Sequence, residues 1–299
     1  SAVSFIEPAP ALSRALAGRN YAEPTPGQAA VLEPRAAARD IIVSAQTGSG
    51  KTVAYGLSLA PALLGANETC GTPGLPRALV IAPTRELALQ VARELEWLYA
   101  QTEAKIATCV GGMDYRTEKR MLDRGAHIVV GTPGRLRDHI ERGSLDLSEA
   151  AAIVLDEADE MLDLGFLPDV ERLISFTPET RQTMLFSATL DGDVAHLVAR
   201  YMKDPAEVAI DAATDTVGTM HHLFLAVHHM DKDRVVAAIA GGMLKTIVFC
   251  QTKRTCDRVE EKLLDLGVKA AAIHGDLPQA ARERALKRFT DGQLAVLVA

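Results

Sequence analysis

Aromatic residues are scarce in this chain. Phe, Trp and Tyr make up 4% of its 299 residues, with a single Trp, although 48% are hydrophobic. Its cores must therefore be aliphatic. No stretch is long and apolar enough for a membrane helix. The start, "SAVSFIEPAP", has neither a basic segment nor an apolar signal core, and its missing initiator Met leads us to expect a processed or trimmed end. The four cysteines, Cys70, Cys109, Cys250 and Cys256, lack metal-ligand spacing. Cys109 and Cys250 lie in apolar runs that suit buried free thiols, so a reduced, cytoplasmic protein is expected. A basic excess is lacking too: the net charge is −7, which argues against non-specific nucleic-acid binding over the whole surface. The charge is uneven, however. Residues 218–299 carry 12 Lys+Arg against 9 Asp+Glu, and residues 1–217 carry 20 against 30, so any nucleic-acid site must be local.

What is present is an alternation of short β-rich runs with amphipathic segments. The strand candidates are "DIIVSA" (40–45), "RALVIAP" (77–83), "KIATCV" (105–110), "HIVVGT" (127–132), "AAIVLDE" (151–157), "TMLFSA" (183–188) and "EVAI" (207–210). These are continuous apolar runs, as parallel strands covered on both faces require. Between them, "TRELALQVARELEWLYAQ" (84–101) has helical apolar spacing. The pattern predicts a doubly wound α/β domain over 1–210. A polar lapse at 211–218 reads as a linker. A second α/β domain over 219–299 has four strand candidates, at 222–227, 245–250, 269–274 and 295–299.

The first strand runs into "AQTGSGKT" (45–52). Its glycines, Gly48 and Gly50, let the backbone of Thr47, Gly48, Ser49 and Gly50 turn N–H groups toward a phosphate chain, and the following helix adds its dipole. Lys51 supplies charge for the β- and γ-phosphates, and the Thr52 hydroxyl suits Mg²⁺. The competing reading is an ordinary Gly-rich strand-to-helix turn. A second strand, in "IVLDEAD" (153–159), delivers Asp156 and Glu157 to its C-terminal edge, where ligands collect in open α/β sheets. Asp156 is placed to hold Mg²⁺, partly through water, and Glu157 to orient or deprotonate an attacking water. An acidic helix start is the alternative, but it leaves the pairing with a phosphate loop unexplained.

Taken in order, "AQTGSGKT", "APTRELALQ" (82–90), "GG" (111–112), "GTPGR" (131–135), "LDEAD" (155–159) and "FSAT" (186–189) resemble the motifs of the DEAD-box ATP-dependent RNA helicases. "YAEPTPGQ" (21–28), within a stretch of about 3–31, resembles that family's Q motif; "IVFCQTKR" (247–254) and "HGDLPQAAR" (274–282) resemble motifs of its second domain. The resemblance implies two tandem RecA-like domains that bind ATP, Mg²⁺ and RNA. It implies adenine contacts from Gln28 and Tyr21, with Phe5 as a distant support, and coupling of nucleotide to RNA through Ser187 and Thr189. It further implies that Pro83, Thr84, Arg85, Gly112, Thr132, Pro133, Gly134 and Arg135 line the RNA backbone, with Gln279 and Arg282 contributing from the second domain. Such contacts position RNA without reading its sequence. Arg85 as a helix-start ion pair and 131–134 as a plain turn are the bland alternatives.

Gly27 departs from the family pattern, which has an apolar residue before the glutamine. The end, "DGQLAVLVA" (291–299), reads as a second domain cut before an arginine-bearing motif, with the last strand short of a covering helix. On that reading the 299 residues bind ATP but hydrolyse it poorly. "HHLFLAVHH" (221–229) does not read as a metal site, because His222 and His228 would be about 20 Å apart on a strand. Trp97 reads as packing. The functional alternatives are an ATP-dependent RNA clamp or assembly platform with little productive unwinding and a DNA-directed helicase; expected partners besides RNA are ribonucleoprotein, ribosome-assembly or decay factors, and substituting DNA for RNA separates the DNA alternative, because only an RNA enzyme uses the 2′-OH.

Overall fold

The computed structural model describes residues 9–19, 21, 28–29, 39–44, 50–112, 114–209, 223–243 and 245–299. Contacts divide the chain into two compact units, Ser1–Thr219 and Met220–Ala299. The expected linker at 211–218 lies outside the described residues.

The first unit is built on seven strands: β1 (Ile41–Ser44), β2 (Ala78–Ile81), β3 (Ile106–Cys109), β4 (Ile128–Gly131), β5 (Ala152–Leu155), β6 (Gln182–Ser187) and β7 (Ala206–Ala209). Their order is β3-β4-β2-β5-β6-β1-β7, and every pairing is parallel. Successive side chains alternate between two aliphatic cores. Val43, Val80, Val130, Val154 and Phe186 pack on the face holding helices Pro10–Ala17, Lys51–Ser58 and Arg85–Leu98. Ile42, Leu79, Val129, Ile153 and Leu185 pack on the other, with helices Pro133–Glu141, Leu167–Ser175 and Gly192–Tyr201. At the opposite sheet edge from the motifs, buried Asp40 accepts the Thr183 amide at 2.6 Å and the Lys203 amide at 2.6 Å. That carboxylate ties β1 to β6 and to the turn before β7.

A close approach fixes β4. A Cβ on Gly131 would run into the Cys109 carbonyl and the Leu136 side chain, and the next amide, Thr132, donates to that same carbonyl at 3.0 Å. The ends of β3 and β4 are therefore held edge to edge.

The second unit has a parallel sheet of three strands, β8 (Thr246–Val248), β9 (Ala270–Ala272) and β10 (Val296–Val298), ordered β8-β10-β9. Two expectations are corrected here. Residues 223–228 form no strand, and Leu223, Phe224 and Leu225 are exposed. An apolar run becomes a strand only where an edge accepts its backbone groups, and among the described residues these have no such pairing. The last strand is also not short of cover. β10 is central, with Val296 and Val298 packed against Cys256, Val259 and Leu263 of helix Lys253–Asp265. Leu297 packs on the other face against Ala285 and Phe289 of helix Gln279–Thr290. Leu297→Ala is accordingly expected to cost about 2–5 kcal/mol in this unit. Hydrogen exchange of the β8–β10 amides measures it, and a loss under about 1 kcal/mol would contradict a two-sided burial of β10.

Candidate functional site

Parallel pairing sets all the motif-bearing strand ends along one edge. Lys51 opens the helix after β1, Asp156 and Glu157 follow β5, and Ser187 ends β6, which lies between β5 and β1. Lys51 is 7% exposed and Asp156 2%. The Lys51 ammonium sits 3.3 Å from Asp156 Oδ1 and 3.4 Å from Glu157 Oε1. Tyr55, one turn on from Lys51, donates its hydroxyl to Asp156 Oδ2 at 3.2 Å. Burial raises the Asp156 pKa above the ordinary range, and the Lys51 charge opposes that rise. The Asp156 Oδ1 atom is buried and ion-paired, yet accepts no hydrogen bond among the described residues.

Glu157 takes a left-handed backbone, φ +51, at the cap of helix Ala158–Asp163. Such a conformation is costly for a residue with a side chain, and it turns the chain sharply beside Lys51. The end of β6 is tied to the same turn. Ser187 accepts from the Asp159 amide at 3.3 Å and donates to the Thr189 carbonyl at 2.6 Å, while Asp159 accepts from the Ala188 amide at 3.2 Å. Segment 187–189 therefore cannot shift without disturbing the turn that carries Asp156 and Glu157.

These groups line a cavity of about 450 Å³ whose walls include Tyr21, Gly50, Lys51, Thr52, Trp97, Asp156 and Glu157. Gly50 has φ +76, and a Cβ there would lie 2.8 Å from Gln28 Nε2. Buried Gln28 donates that nitrogen to the Gly50 carbonyl at 3.3 Å, so it braces the start of the helix. Thr47, Gly48, Ser49 and Phe5 lie outside the described residues. Trp97 packs against the core of the first unit, as expected, and also lines the cavity. Its ring lies 5.8 Å from that of Tyr21 and 4.3 Å under the Arg19 guanidinium, on the cavity wall. Its helix also brings Gln90 and Glu94 to the cavity. The spacing of Gln90, Glu94 and Trp97 along one helical face is the sequence signal that could have flagged them.

Beside this group, β2, β4 and β3 end next to one another. They carry Pro83, Thr84 and Arg85, then Thr132, Pro133, Gly134 and Arg135, then the Gly111–Gly112 turn. Thr84 caps helix Arg85–Leu98 by accepting the Leu87 amide at 3.3 Å. The Arg85 guanidinium donates to the Gly111 carbonyl, joining two of the three segments. In the second unit Arg282 donates to Gln279 Oε1 at 3.0 Å on one turn of helix.

A DEAD/DEAH box helicase family model matches residues 25–197, and a helicase conserved C-terminal domain model matches residues 233–299. The chain belongs to the DEAD/DEAH box helicase family. It is 38% identical over 288 residues to the DEAD-box ATP-dependent RNA helicase CshA of Geobacillus kaustophilus, covering 96% of this chain and 60% of that protein. It is 41% identical over 292 residues to the ATP-dependent RNA helicase DeaD of Mycobacterium tuberculosis, covering 97% of this chain and 51% of that one. The chain thus spans about half to three-fifths of the length of these curated relatives. A structure of S. cerevisiae Dbp5 L327V bound to RNA and ADP BeF3 superimposes with a TM-score of 0.84 at 27% identity, over 99% of this chain and 75% of that one. The fold of this DEAD-box family chain is accordingly α/β with tandem RecA-like domains. Among the described residues, no helix is long and apolar enough to cross a membrane.

One carboxyl near the site stands out in this family member. The Glu160 pKa is pushed up to about 7, first by its hydrogen bond with Glu157, then by burial and the charges of Glu157 and Asp159. The folded chain keeps a proton there that the unfolded chain releases near its ordinary carboxylate pKa, so this group's stabilisation is lost as pH climbs through about 7. Glu160→Gln should flatten that fall in the nucleotide-free protein. Urea unfolding at stepped pH measures it, and an unchanged slope would remove Glu160 as its source.

Proposed function

We propose that the chain couples ATP binding and hydrolysis to RNA binding, and so separates short RNA duplexes or remodels ribonucleoproteins. The observation that carries this reading is the convergence of Lys51, Asp156, Glu157 and Ser187 at three adjacent strand ends, with the Arg85, Gly111–Gly112 and Arg135 segments beside them. The relatives' names supply the substrate classes: ATP and RNA. Four free cysteines fit a reducing, cytoplasmic setting. Residues 1–210 form the ATP-binding domain and 219–299 the second helicase domain, joined through 211–218.

In this reading Tyr21 and Gln28 meet the adenine, while the backbone at 47–50 and the Lys51 ammonium meet the phosphates. The Lys51 ammonium lies between two carboxylates, and a triphosphate competes for it. Asp156 and Thr52 fit a hard divalent cation, since their donors are oxygens and Asp156 Oδ1 is a buried acceptor that, among the described residues, meets only the Lys51 ion pair. Bound Mg²⁺ would supply charge neutralisation at the phosphates. Glu157 orients the water and takes its proton as the water oxygen bonds to the γ-phosphorus and the bridging oxygen leaves with ADP. Ser187 and Thr189, tied to the Asp159 turn, transmit the state of this site toward RNA. Pro83, Thr84, Arg85, Gly112, Thr132, Pro133, Gly134 and Arg135, with Gln279 and Arg282 from the second unit, hold the RNA backbone without reading bases.

RNA-stimulated phosphate release tests the reading. Lys51→Ala should leave no measurable turnover and weaken ATP binding, and wild-type turnover would refute the phosphate-loop assignment. Glu157→Gln should retain ATP and RNA while lowering turnover by about 10²–10⁴. Normal hydrolysis in that variant would take the base role from Glu157. Stimulation by DNA equal to that by RNA would redirect the substrate class.

A further inference from the structure

Glu118 is a buried acid that none of the motifs includes. It lies on helix Tyr115–Asp123 and is 0% exposed. Its Oε1 accepts the Val110 amide at 3.0 Å; its Oε2 accepts Arg135 Nε at 2.7 Å and meets His139 Nε2 at 2.7 Å. A carboxylate can only accept, so His139 donates from Nε2 and turns Nδ1 toward the Ser144 hydroxyl, 2.8 Å away. Tyr115 stacks on the His139 ring at 4.4 Å and shares a 2.7 Å bond with the same hydroxyl. Burial by itself would raise the Glu118 pKa, but the bonds from His139, the Val110 amide and Arg135 outweigh it and hold the carboxyl below its usual range. The acid is therefore charged.

Cys109, Glu118 and His139 bring one ligand atom each within 4.8 Å of one another, a grouping that resembles a metal site. Both Glu118 oxygens are already engaged, one of them by a guanidinium that a cation would have to displace. The arrangement serves the chain's own backbone. Val110 immediately precedes Gly111 and Gly112, whose φ values are +72 and +67. Arg135 belongs to the segment after β4. Arg85, from the segment after β2, donates to the Gly111 carbonyl. One carboxylate thus joins the turn after β3 to the arginine after β4, and through Gly111 to the arginine after β2.

We propose that Glu118 is a positioning residue for RNA, fixing the Gly111–Gly112 turn and the Arg135 guanidinium in the arrangement that receives the phosphate backbone. This rests on the reading of those segments as the RNA-binding edge. Arg135 keeps 19% of its side chain exposed while its Nε is held by Glu118, so the anchored arginine still reaches the surface. Held in this way, it loses little further freedom when it meets a phosphate.

Charge gives the test its sign. Glu118→Gln removes a negative charge near a polyanion site, which by electrostatics alone would tighten RNA binding. Positioning requires the opposite. A short fluorescein-labelled oligouridylate, titrated into the 299-residue protein with a non-hydrolysable ATP analogue, should bind Glu118→Gln about tenfold more weakly, with analogue affinity unchanged. The slope of log Kd against log salt should fall by about 0.7, the value for one lost phosphate contact on a single strand, in both Glu118→Gln and Arg135→Met. The double variant should bind no worse than Arg135→Met, because the acid acts through that arginine. Equal or tighter RNA binding by Glu118→Gln, or additive losses in the double variant, would overturn the proposal. If Glu118→Gln does not fold by circular dichroism, the same cycle run with His139→Gln and Arg135→Met decides it: shared loss supports positioning through Glu118, and additivity overturns it. Failure of the wild-type protein to bind the oligouridylate would instead remove the RNA reading itself.

Discussion

Every strand of the first sheet points the same way, and the rest of the structure depends on that. Parallel pairing puts all seven C-terminal ends on one edge, so residues more than a hundred positions apart meet without long loops reaching across the sheet. Lys51 and Glu157, 106 residues apart, touch because only β6 separates β1 from β5. The same order divides the edge. The ends of β5, β6 and β1 hold Asp156, Glu157, Ser187 and Lys51, and the ends of β3, β4 and β2 hold the arginines and the glycine turn. The two groups are neighbours because β2 pairs with β5.

The buried charges at the C-terminal edge of the first sheet lie against partners of opposite sign. Lys51 faces two carboxylates, and Glu118 meets a guanidinium, an imidazole and an amide. Removing one member of a buried pair typically costs about 3–5 kcal/mol, because the survivor is left desolvated and alone. The pairs therefore fix geometry as well as charge. The left-handed Glu157 survives for a related reason: Ser187 and Asp159 hold the turn around it from both sides.

Much of this was legible in the sequence. The continuous apolar runs of the first unit become strands because both of their faces are covered, which is what such runs signify. The same signal misled at 223–227, since pairing depends on a neighbouring edge that no local pattern reports. β10 looked short of cover because the order β8-β10-β9 places the last strand in the middle, and that order is invisible in the chain. Lys51, Asp156, Glu157 and Ser187 were legible because their motifs constrain backbone and chemistry together. Glu118 was not. Within "YRTEKRMLD" it reads as one more solvent-facing charge, and its partners lie 17 and 21 residues further on, across a strand.

The scarcity of aromatic residues has one last consequence. The chain has a single tryptophan, and it stands on the wall of the cavity beside Arg19 and Tyr21. Indole emission from this protein therefore has one origin, on the wall of the cavity that the Lys51 cluster also lines. The molecule carries an intrinsic optical reporter at the mouth of its own candidate site, without any label.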